Sequence, residues 1–162
     1  MQQRQLRPDD HDFIVSVVDE WWGGRTVHPL LPRLFAEHFN STSSVIVDNE
    51  VIIAFLIGFR SQSHLDTGYI HFVGVHPAYR QQSLGRQLYT HFFDQMRSLG
   101  CTQVQCITSP SNKVSIGFHF KMGFEIVNGN MINDDVSVSR NHAGEGQHRV
   151  IFTKSIESHD HN

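Results

Sequence analysis

The sequence has little cysteine and little excess charge. Its 162 residues include two cysteines, Cys101 and Cys106, whose spacing matches neither a disulfide scaffold nor a Cys-x-x-Cys zinc motif. We expect both to be buried thiols. The 13 basic and 16 acidic residues leave a formal net charge of -3, which excludes a protein that binds nucleic acid by neutralising many phosphates. Any anion site must therefore be local.

Long hydrophobic segments are missing as well. The longest, residues 51–59, is much shorter than the roughly 20 residues that cross a bilayer, and the first residues are too polar for a signal sequence. We therefore expect no membrane association and a cytoplasmic location. The 12 histidines are scattered, and their one close pair, His159 and His161 in a polar tail, would bind a metal only adventitiously. No metal cofactor is predicted.

The composition is that of one globular domain. Hydrophobic residues make up 39% and charged residues 18% of the chain, and this length is enough to bury a substantial core. No repeat or low-complexity block divides the sequence. We predict a single domain over residues 1–155 and a polar C-terminal tail over residues 156–162.

Hydrophobic periodicity and turn residues predict alternating helices and strands, which favours an α/β fold with an early antiparallel hairpin. The predicted helices cover residues 10–22, 30–39, 84–99 and 112–121. The predicted strands cover residues 3–7, 44–47, 51–59, 69–75, 103–108, 124–127 and 149–153. Residues 128–147 form a long polar loop in this prediction, and a loop of that length in a compact domain is either mobile or functional.

The most informative segment runs from Val75 to Arg86, where a predicted central strand passes through a short turn into an amphipathic helix. Unpaired backbone amides and the positive end of the helix dipole would lie at this turn, with Arg80 and Arg86 on either side. Such a cradle binds a phosphate or diphosphate. It is neither a Walker loop nor a dinucleotide fingerprint, because the required residues are missing. The alternative is an ordinary strand-to-helix connection with two solvated arginines.

The same segment, Arg80-Gln81-Gln82-Ser83-Leu84-Gly85, resembles the diphosphate motif of the GNAT acyltransferase family, Arg/Gln-x-x-Gly-x-Gly/Ala. Ser83 replaces the family's first glycine, which is tolerable where the loop needs no positive φ at that residue. Downstream, Asn112 and the segment from Phe118 to Phe124 are similar to the family's Asn...Tyr-x-x-x-Gly-Phe. The resemblance covers most of the chain. It implies the GNAT fold, an α/β domain whose mixed, mostly antiparallel sheet of about seven strands is flanked by helices and splayed between the fourth and fifth strands.

The resemblance also implies acetyl-CoA as co-substrate, with its pantetheine arm in the splay. A backbone amide of the fourth strand would polarise the thioester carbonyl, as in the family. Gly74 would permit close approach, although core packing beside a bulge would look the same in the sequence. The residues assigned in this way to acetyl-CoA are Phe72, Val73, Gly74, Val75, Arg80, Gln81, Gln82, Ser83, Leu84, Gly85, Arg86 and Asn112.

Two histidines are the candidate catalytic residues. His119 stands where many relatives carry a tyrosine near the coenzyme sulfur, and an imidazolium at that position could protonate the leaving thiolate. The alternative is a histidine hydrogen-bonded within the helix layer. His71 lies near the position of a glutamate in many relatives and has a suitable pKa range for a general base. A water chain from bulk solvent is the alternative to His71.

The acceptor site of the family is formed by the first two helices and the loop before the last strand. Trp22, Arg25 and His28 are therefore the candidate acceptor-binding residues, because an aromatic wall beside an arginine can bind an apolar or carboxylate group. Core packing is the alternative for the tryptophan segment. The loop's acidic residues would attract a cationic amine or would simply be solvated; they are Asp134, Asp135 and Glu145.

These observations predict a cytoplasmic N-acetyltransferase that transfers acetyl directly from acetyl-CoA to an amine of a small molecule or peptide. A ping-pong route through Cys106 lacks an identifiable partner residue. A non-catalytic acyl-CoA-binding regulatory module is an alternative, motivated by Ser83 and by the missing tyrosine and glutamate. A mononucleotide-binding protein is another. The acceptor stays open, and so does a homodimer, since dimers are common in the family.

Overall fold

The apolar runs of the sequence form the strands of one mixed sheet in the computed structural model, which describes residues 1–157. The strands are β1 (Gln2–Gln5), β2 (Ser44–Asp48), β3 (Val51–Arg60), β4 (Thr67–Val75), β5 (Gln103–Thr108), β6 (Glu125–Ile126), β7 (Met131–Asn133), β8 (Val136–Val138) and β9 (Val150–Ser155). The helices are α1 (Asp10–Trp21), α2 (Leu34–His38), α3 (Leu84–Ser98) and α4 (Lys113–Lys121), with short 3-10 turns at His28–Leu30, Asn40–Thr42 and Pro77–Tyr79.

The main sheet has seven strands in the order β1-β2-β3-β4-β5-β9-β6. Its neighbours pair antiparallel except β4 and β5, which are parallel. The chain crosses from β4 to β5 through α3, as a parallel connection requires. The predicted mixed, mostly antiparallel sheet of about seven strands is confirmed.

Helices cover both faces of this sheet and enclose two hydrophobic cores. On one face, α1 and the segment around α2 pack Val18 and Trp21 against Phe55 of β3. On the other face, the apolar positions of α3 recur every four residues and bury Leu88, Phe92 and Met96. Full burial of such a side chain stabilises the fold by roughly 1.5–3 kcal/mol. The sheet is therefore the middle of three layers, and each face has its own set of side chains.

Two predicted segments differ from the structure. The predicted helix over residues 30–39 is a 3-10 turn followed by the five-residue α2, because Pro32 lacks an N–H and disfavours helical geometry at Leu31. The predicted long loop contains the β7–β8 hairpin. Its turn residues Asp134 and Asp135 have φ values of 48° and 62°, the backbone geometry of a tight two-residue hairpin turn that aspartate tolerates.

The folded region extends one residue beyond the predicted domain end. Ile156 is 1% exposed, and its N–H donates to Thr102 O at 2.9 Å. Arg97 Nε donates to Ile156 O at 2.6 Å. Ile156 therefore packs with the domain. The predicted histidine pair at residues 159 and 161 lies outside the described residues.

Candidate active site

The sheet opens between β4 and β5. The parallel pairing comprises Thr67 with Gln103, Gly68 with Val104 and Tyr69 with Gln105, and it ends there within the described chain. Beyond this point, β4 continues paired to β3, and β5 continues paired to β9. Two strand edges therefore diverge from each other. The splay that the resemblance implied between the fourth and fifth strands is confirmed.

The peptide groups of β4 supply donors at this gap. His76 N–H donates to Ile53 O at 2.8 Å, so His76 and Ile53 form a hydrogen-bonded pair at the end of the β3–β4 ladder. Paired positions alternate along an antiparallel ladder between those that exchange hydrogen bonds and those whose peptide groups point away. Val75 and Val73, opposite Ala54 and Leu56, therefore direct their N–H groups toward the gap.

Gly74 has a packing reason to be glycine. A Cβ at this residue would lie 2.5 Å from the ring of Phe55 on β3, a distance that no side chain accepts. The residue is buried on the α1 side of the sheet. The absence of a side chain therefore serves the hydrophobic core, which is the alternative that the sequence left open.

The loop before α3 presents a run of unpaired amides. The backbone N–H groups of residues 81–86 donate no hydrogen bond to a backbone acceptor among residues 1–157. Gln81 and Ser83 have φ values of 71° and 59°, so the loop bends back on itself and then enters the helix. On the sequence alone, serine is tolerable at residue 83 only if the loop needs no positive φ there. That condition is not met, because Ser83 has a left-handed conformation that glycine adopts more easily.

The two arginines of the loop have different environments. The guanidinium of Arg80 donates to the carbonyl of Trp21 at the C-terminus of α1, where the helix dipole favours a cation. The side chain of Arg86 is exposed and has no hydrogen bond or ion pair within residues 1–157. A Cβ at Gly85 would contact Phe118 at 3.6 Å, an ordinary separation. The cradle residues therefore fit a diphosphate, with Arg86 as its available cation.

Asn112 is the N-cap of α4. Its Oδ1 accepts a hydrogen bond from Ser115 N at 3.1 Å. This satisfies one of the unpaired amides at the helix start. This capping hydrogen bond explains why residue 112 is an asparagine, and no bound ligand is needed for that explanation.

A β-bulge determines the direction of His71. The register between β3 and β4 pairs Ile57 with Phe72 and Gly58 with Ile70, which leaves His71 as the extra residue. The bulge places His71 on the α1 side of the sheet together with Phe72. There its ring stacks on Phe35 with centroids 4.2 Å apart.

The hydrogen bond of His71 fixes its tautomer. Nε2 lies 2.5 Å from the carbonyl oxygen of Leu30. Because a carbonyl oxygen can only accept a hydrogen bond, Nε2 carries the proton and is the donor. In the neutral ring, Nδ1 then carries the lone pair. Burial lowers the pKa of His71, which keeps the ring neutral near pH 7. Nδ1 has no partner within residues 1–157 and is not a buried atom, so it is available as a proton acceptor.

His119 has a different environment. It lies on α4 at 6% exposure, stacked on Phe152 with centroids 4.7 Å apart. Nδ1 donates to Ser115 O at 2.7 Å, and Nε2 accepts from the hydroxyl of Tyr89 at 2.9 Å. Burial lowers the pKa of His119, which disfavours the imidazolium. This geometry matches the alternative, a histidine hydrogen-bonded within the helix layer.

The structure does not bring the two candidate histidines together. His71 faces the α1 side of the sheet, and His119 lies in the core on the α3 side. Cys106, the first residue of β5 beyond the paired segment, is also buried, and burial raises the pKa of its thiol. Such a thiol stays protonated and is a weak nucleophile.

The predicted acceptor-binding residues surround the end of α1. Trp22 packs on Phe72 with centroids 5.1 Å apart, and Arg25 is exposed. His28 Nδ1 contacts Asp19 Oδ2 at 2.7 Å, while Asp19 Oδ1 accepts from the backbone amides of Val27 and His28. These hydrogen bonds, chiefly that from His28, lower the pKa of Asp19. The carboxylate thus fixes the conformation of the segment that carries His28.

Two surface concavities of about 420 Å³ each lie away from the gap. One is lined in part by Gln3, Arg4 and His91, and the other in part by Gln103 and Lys154. Neither includes a cradle residue.

Within residues 1–157, no group of three or more His, Cys, Asp or Glu side chains is arranged to hold a metal ion. None of the helices there has the length and hydrophobicity that crossing a bilayer requires.

Sequence reasoning missed Tyr89 and Phe35, the partners of the two histidines. Tyr89 is 3% exposed on the buried face of α3. A hydroxyl among apolar helix positions was a usable signal, because a buried tyrosine hydroxyl needs a partner. The contact of Phe35 with His71 had no such signal, since it depends on the bulge in β4 and on the break before α2.

Comparisons with solved structures give the same fold. The Ard1 protein of Thermoplasma volcanium is 16% identical with a TM-score of 0.76, covering 97% of this chain and 98% of that one. The ribosomal-protein-S18-alanine N-acetyltransferase of Escherichia coli is 19% identical with a TM-score of 0.69, covering 99% and 97%. Diaminobutyrate acetyltransferase EctA of Paenibacillus lautus, solved with L-2,4-diaminobutyric acid and coenzyme A, is 17% identical with a TM-score of 0.72, covering 97% and 96%.

A comparison with curated protein sequences gives no match. The sequence model described as the acetyltransferase (GNAT) family matches residues 10–124. That region contains the cradle, the sheet opening, His71 and His119. The chain belongs to the GNAT acetyltransferase family.

Proposed function

We propose that this chain is an acetyl-CoA-dependent N-acetyltransferase that transfers the acetyl group directly to an amine in a ternary complex. The observation that carries the proposal is the opening between β4 and β5 beside the unpaired amides of residues 81–86. Acetyl-CoA supplies the acetyl group as an activated thioester. The amides and Arg86 are suited to its diphosphate, because helix N-termini bind anions. The N–H groups of Val73 and Val75 are suited to the pantetheine arm and the thioester carbonyl.

His71 is the proposed general base. Its Nδ1 lone pair is held in place by the Nε2 hydrogen bond to Leu30 and by the stack on Phe35. As the amine nitrogen bonds to the acetyl carbon and the carbon–sulfur bond breaks, Nδ1 takes the proton that the amine loses. The lowered pKa of His71 keeps Nδ1 free of protons at neutral pH.

The departing thiolate requires a proton from elsewhere. His119 cannot supply one from Nε2 in the observed tautomer, because that nitrogen accepts from Tyr89. We therefore propose that His119 packs with Tyr89 in the core, that solvent water protonates the thiolate, and that His71 returns its proton to solvent, so that no hydroxide is left over. Direct transfer is favoured over an acetyl-cysteine route, because the thiol of Cys106 is buried with a raised pKa.

The remaining sequence predictions stay proposals. Trp22, Arg25 and His28 border the acceptor side, and the acceptor is an amine of a small molecule or peptide. Two free cysteines accord with a reducing compartment such as the cytoplasm. We retain a homodimer as a proposal that size-exclusion chromatography with light scattering would test.

Release of free thiol from acetyl-CoA with a panel of amines tests the proposed function. We expect acceptor-dependent release, together with acetyl-CoA binding that ATP does not prevent. Tight acetyl-CoA binding without release for any amine would instead support a non-catalytic acyl-CoA-binding module, which the buried position of His119 also favours. Stronger protection by ATP than by coenzyme A would identify a mononucleotide-binding protein.

A further inference from the structure

His71 lies within a shelf of aromatic side chains on the α1 side of the sheet. Phe35 stacks on its ring at 4.2 Å, and Phe72 lies 6.5 Å from it between centroids. The aromatic contacts extend from Phe35 to Phe39 and Phe59 and from Phe72 to Trp22. We call this set the aromatic shelf: Trp22, Phe35, Phe39, Phe59 and Phe72.

The aromatic shelf remains partly open to solvent. Trp22, Phe35, Phe39 and Phe59 are only partly buried, and Phe72 is 7% exposed. On the same segment, Leu30 and Leu34 are 53% and 46% exposed. Leu30 also provides the carbonyl that binds His71. Apolar side chains therefore border the ring that we propose as the base.

Carboxylates of α1 and α2 contact basic side chains near the aromatic shelf. Asp12 on α1 and Glu37 on α2 both contact the guanidinium of Arg33. Asp19 on α1 contacts His28. No carboxylate contacts His71 within residues 1–157. Because His71 is not hydrogen-bonded to any of these carboxylates, a second positive charge held against the aromatic rings would lose water without a bonded counter-ion, and this desolvation would oppose binding.

We propose that the acceptor is a primary amine attached to an apolar group, with an aryl group as the best fit, which packs on the aromatic shelf while the amine faces Nδ1 of His71. The inference rests on the proposed function and names its substrate class. Aromatic groups pack edge to face or offset against such side chains, and an apolar moiety gains from leaving water. A hydroxylated amine gains less from leaving water, and a polyamine must lose the hydration of its further positive charges.

A matched series of amines tests the substrate class by thiol release from acetyl-CoA. We expect kcat/KM for 2-phenylethylamine and hexylamine to exceed that for ethanolamine and spermidine by about tenfold or more, since one or two methylenes already give about tenfold discrimination in an apolar site. Leu34→Lys places a charge beside Phe35 on α2. It should lower kcat/KM for 2-phenylethylamine about tenfold without changing the acetyl-CoA Kd.

Val114→Lys is the matched control, because Val114 on α4 is 85% exposed and lies outside both the cradle and the aromatic shelf. We expect it to leave kcat/KM for 2-phenylethylamine unchanged. Acetylation with a preference for spermidine or ethanolamine, or an equal effect of both lysine substitutions, would overturn the inference and leave the proposed function intact. Failure of every amine to release thiol would overturn both.

Discussion

In the proposed mechanism, the direction of one imidazole ring determines which residue acts as the general base. His71 reaches the α1 side of the sheet through a bulge, and the carbonyl of Leu30 holds the proton on Nε2. His119, which the sequence offered as the acid, has both ring nitrogens hydrogen-bonded within the core. Two residues of one type thus differ in their proposed roles because their hydrogen-bond partners differ.

Replacing His71 tests its role as base. We expect His71→Gln to lower kcat/KM by about 100-fold or more, a typical contribution of a general base, with the acetyl-CoA Kd unchanged. The ratio of the wild-type kcat/KM to that of His71→Gln, in which the titration of the amine substrate cancels, should fall only below about pH 6.5, because burial lowers the pKa of His71 from that ordinary value. Steady-state kinetics from pH 5 to 8 would measure both effects.

His91→Gln provides the control, since His91 is exposed on α3. It should preserve the rate and its pH profile. An unchanged profile in His71→Gln as well would assign proton removal to solvent.

The backbone at Ser83 gives a second test at this scale. Ser83→Gly should relieve a left-handed conformation that costs roughly 1–2 kcal/mol, which outweighs the roughly 0.5–1 kcal/mol entropic cost of a glycine. Gln82→Gly incurs that entropic cost without relief, because Gln82 does not have a positive φ. Urea unfolding should therefore rank Ser83→Gly as the more stable variant. The reverse order would show that Ser83 is not strained.

At the scale of elements, hydrophobic periodicity was enough to place the long ones. The predicted strand over residues 103–108 coincides with β5, and the predicted helix over residues 84–99 extends one residue beyond α3. Errors occur where short-range chemistry overrides periodicity, at Pro32 before α2 and at the aspartates of the β7–β8 turn. The bulge that orients His71 has no local sequence signal, because it arises from the register between β3 and β4.

The two arginines of the cradle differ in their contacts: Arg80 bonds to the end of α1, whereas the side chain of Arg86 is exposed to solvent. Substitution of each arginine tests this difference. Arg86→Gln should raise the acetyl-CoA Kd several-fold, most clearly at low salt, because this exposed cation has no ion-pair partner within residues 1–157. The melting temperature should not change. Arg80→Gln should lower the melting temperature, because Arg80 joins the cradle to the end of α1.

Titration calorimetry at two salt concentrations, together with thermal unfolding, would measure both arginine effects. If the two variants changed Kd and melting temperature equally, the assignment of Arg86 to acetyl-CoA binding and of Arg80 to the contact with α1 would be contradicted.

At the scale of the whole molecule, two neutral histidines, the partly buried His71 and the buried His119, couple stability to pH. Burial lowers the pKa of both His71 and His119 in the folded state. The unfolded chain therefore binds more protons as the pH falls through the ordinary histidine value of about 6.5, and the folded state loses stability there. Stability from these two groups is fully present above that pH.

We expect the melting temperature to fall between pH 7.5 and 5.5, and His119→Gln to reduce that fall. His119→Gln should also lower the melting temperature at pH 7.5 while turnover per folded molecule is retained, because His119 packs in the core. His91→Gln serves again as the control. A loss of turnover at unchanged melting temperature would restore His119 as the acid.

The most direct test of the central claim is calorimetric binding of acetyl-CoA to Gly85→Leu. Leucine favours a helix by about 1 kcal/mol over glycine, and a Cβ at Gly85 has ordinary space beside Phe118, so the fold should tolerate the change. We predict at least a tenfold higher Kd for Gly85→Leu, with Gly85→Ala close to wild type and both melting temperatures preserved. Wild-type affinity in Gly85→Leu would contradict a diphosphate held at the start of α3.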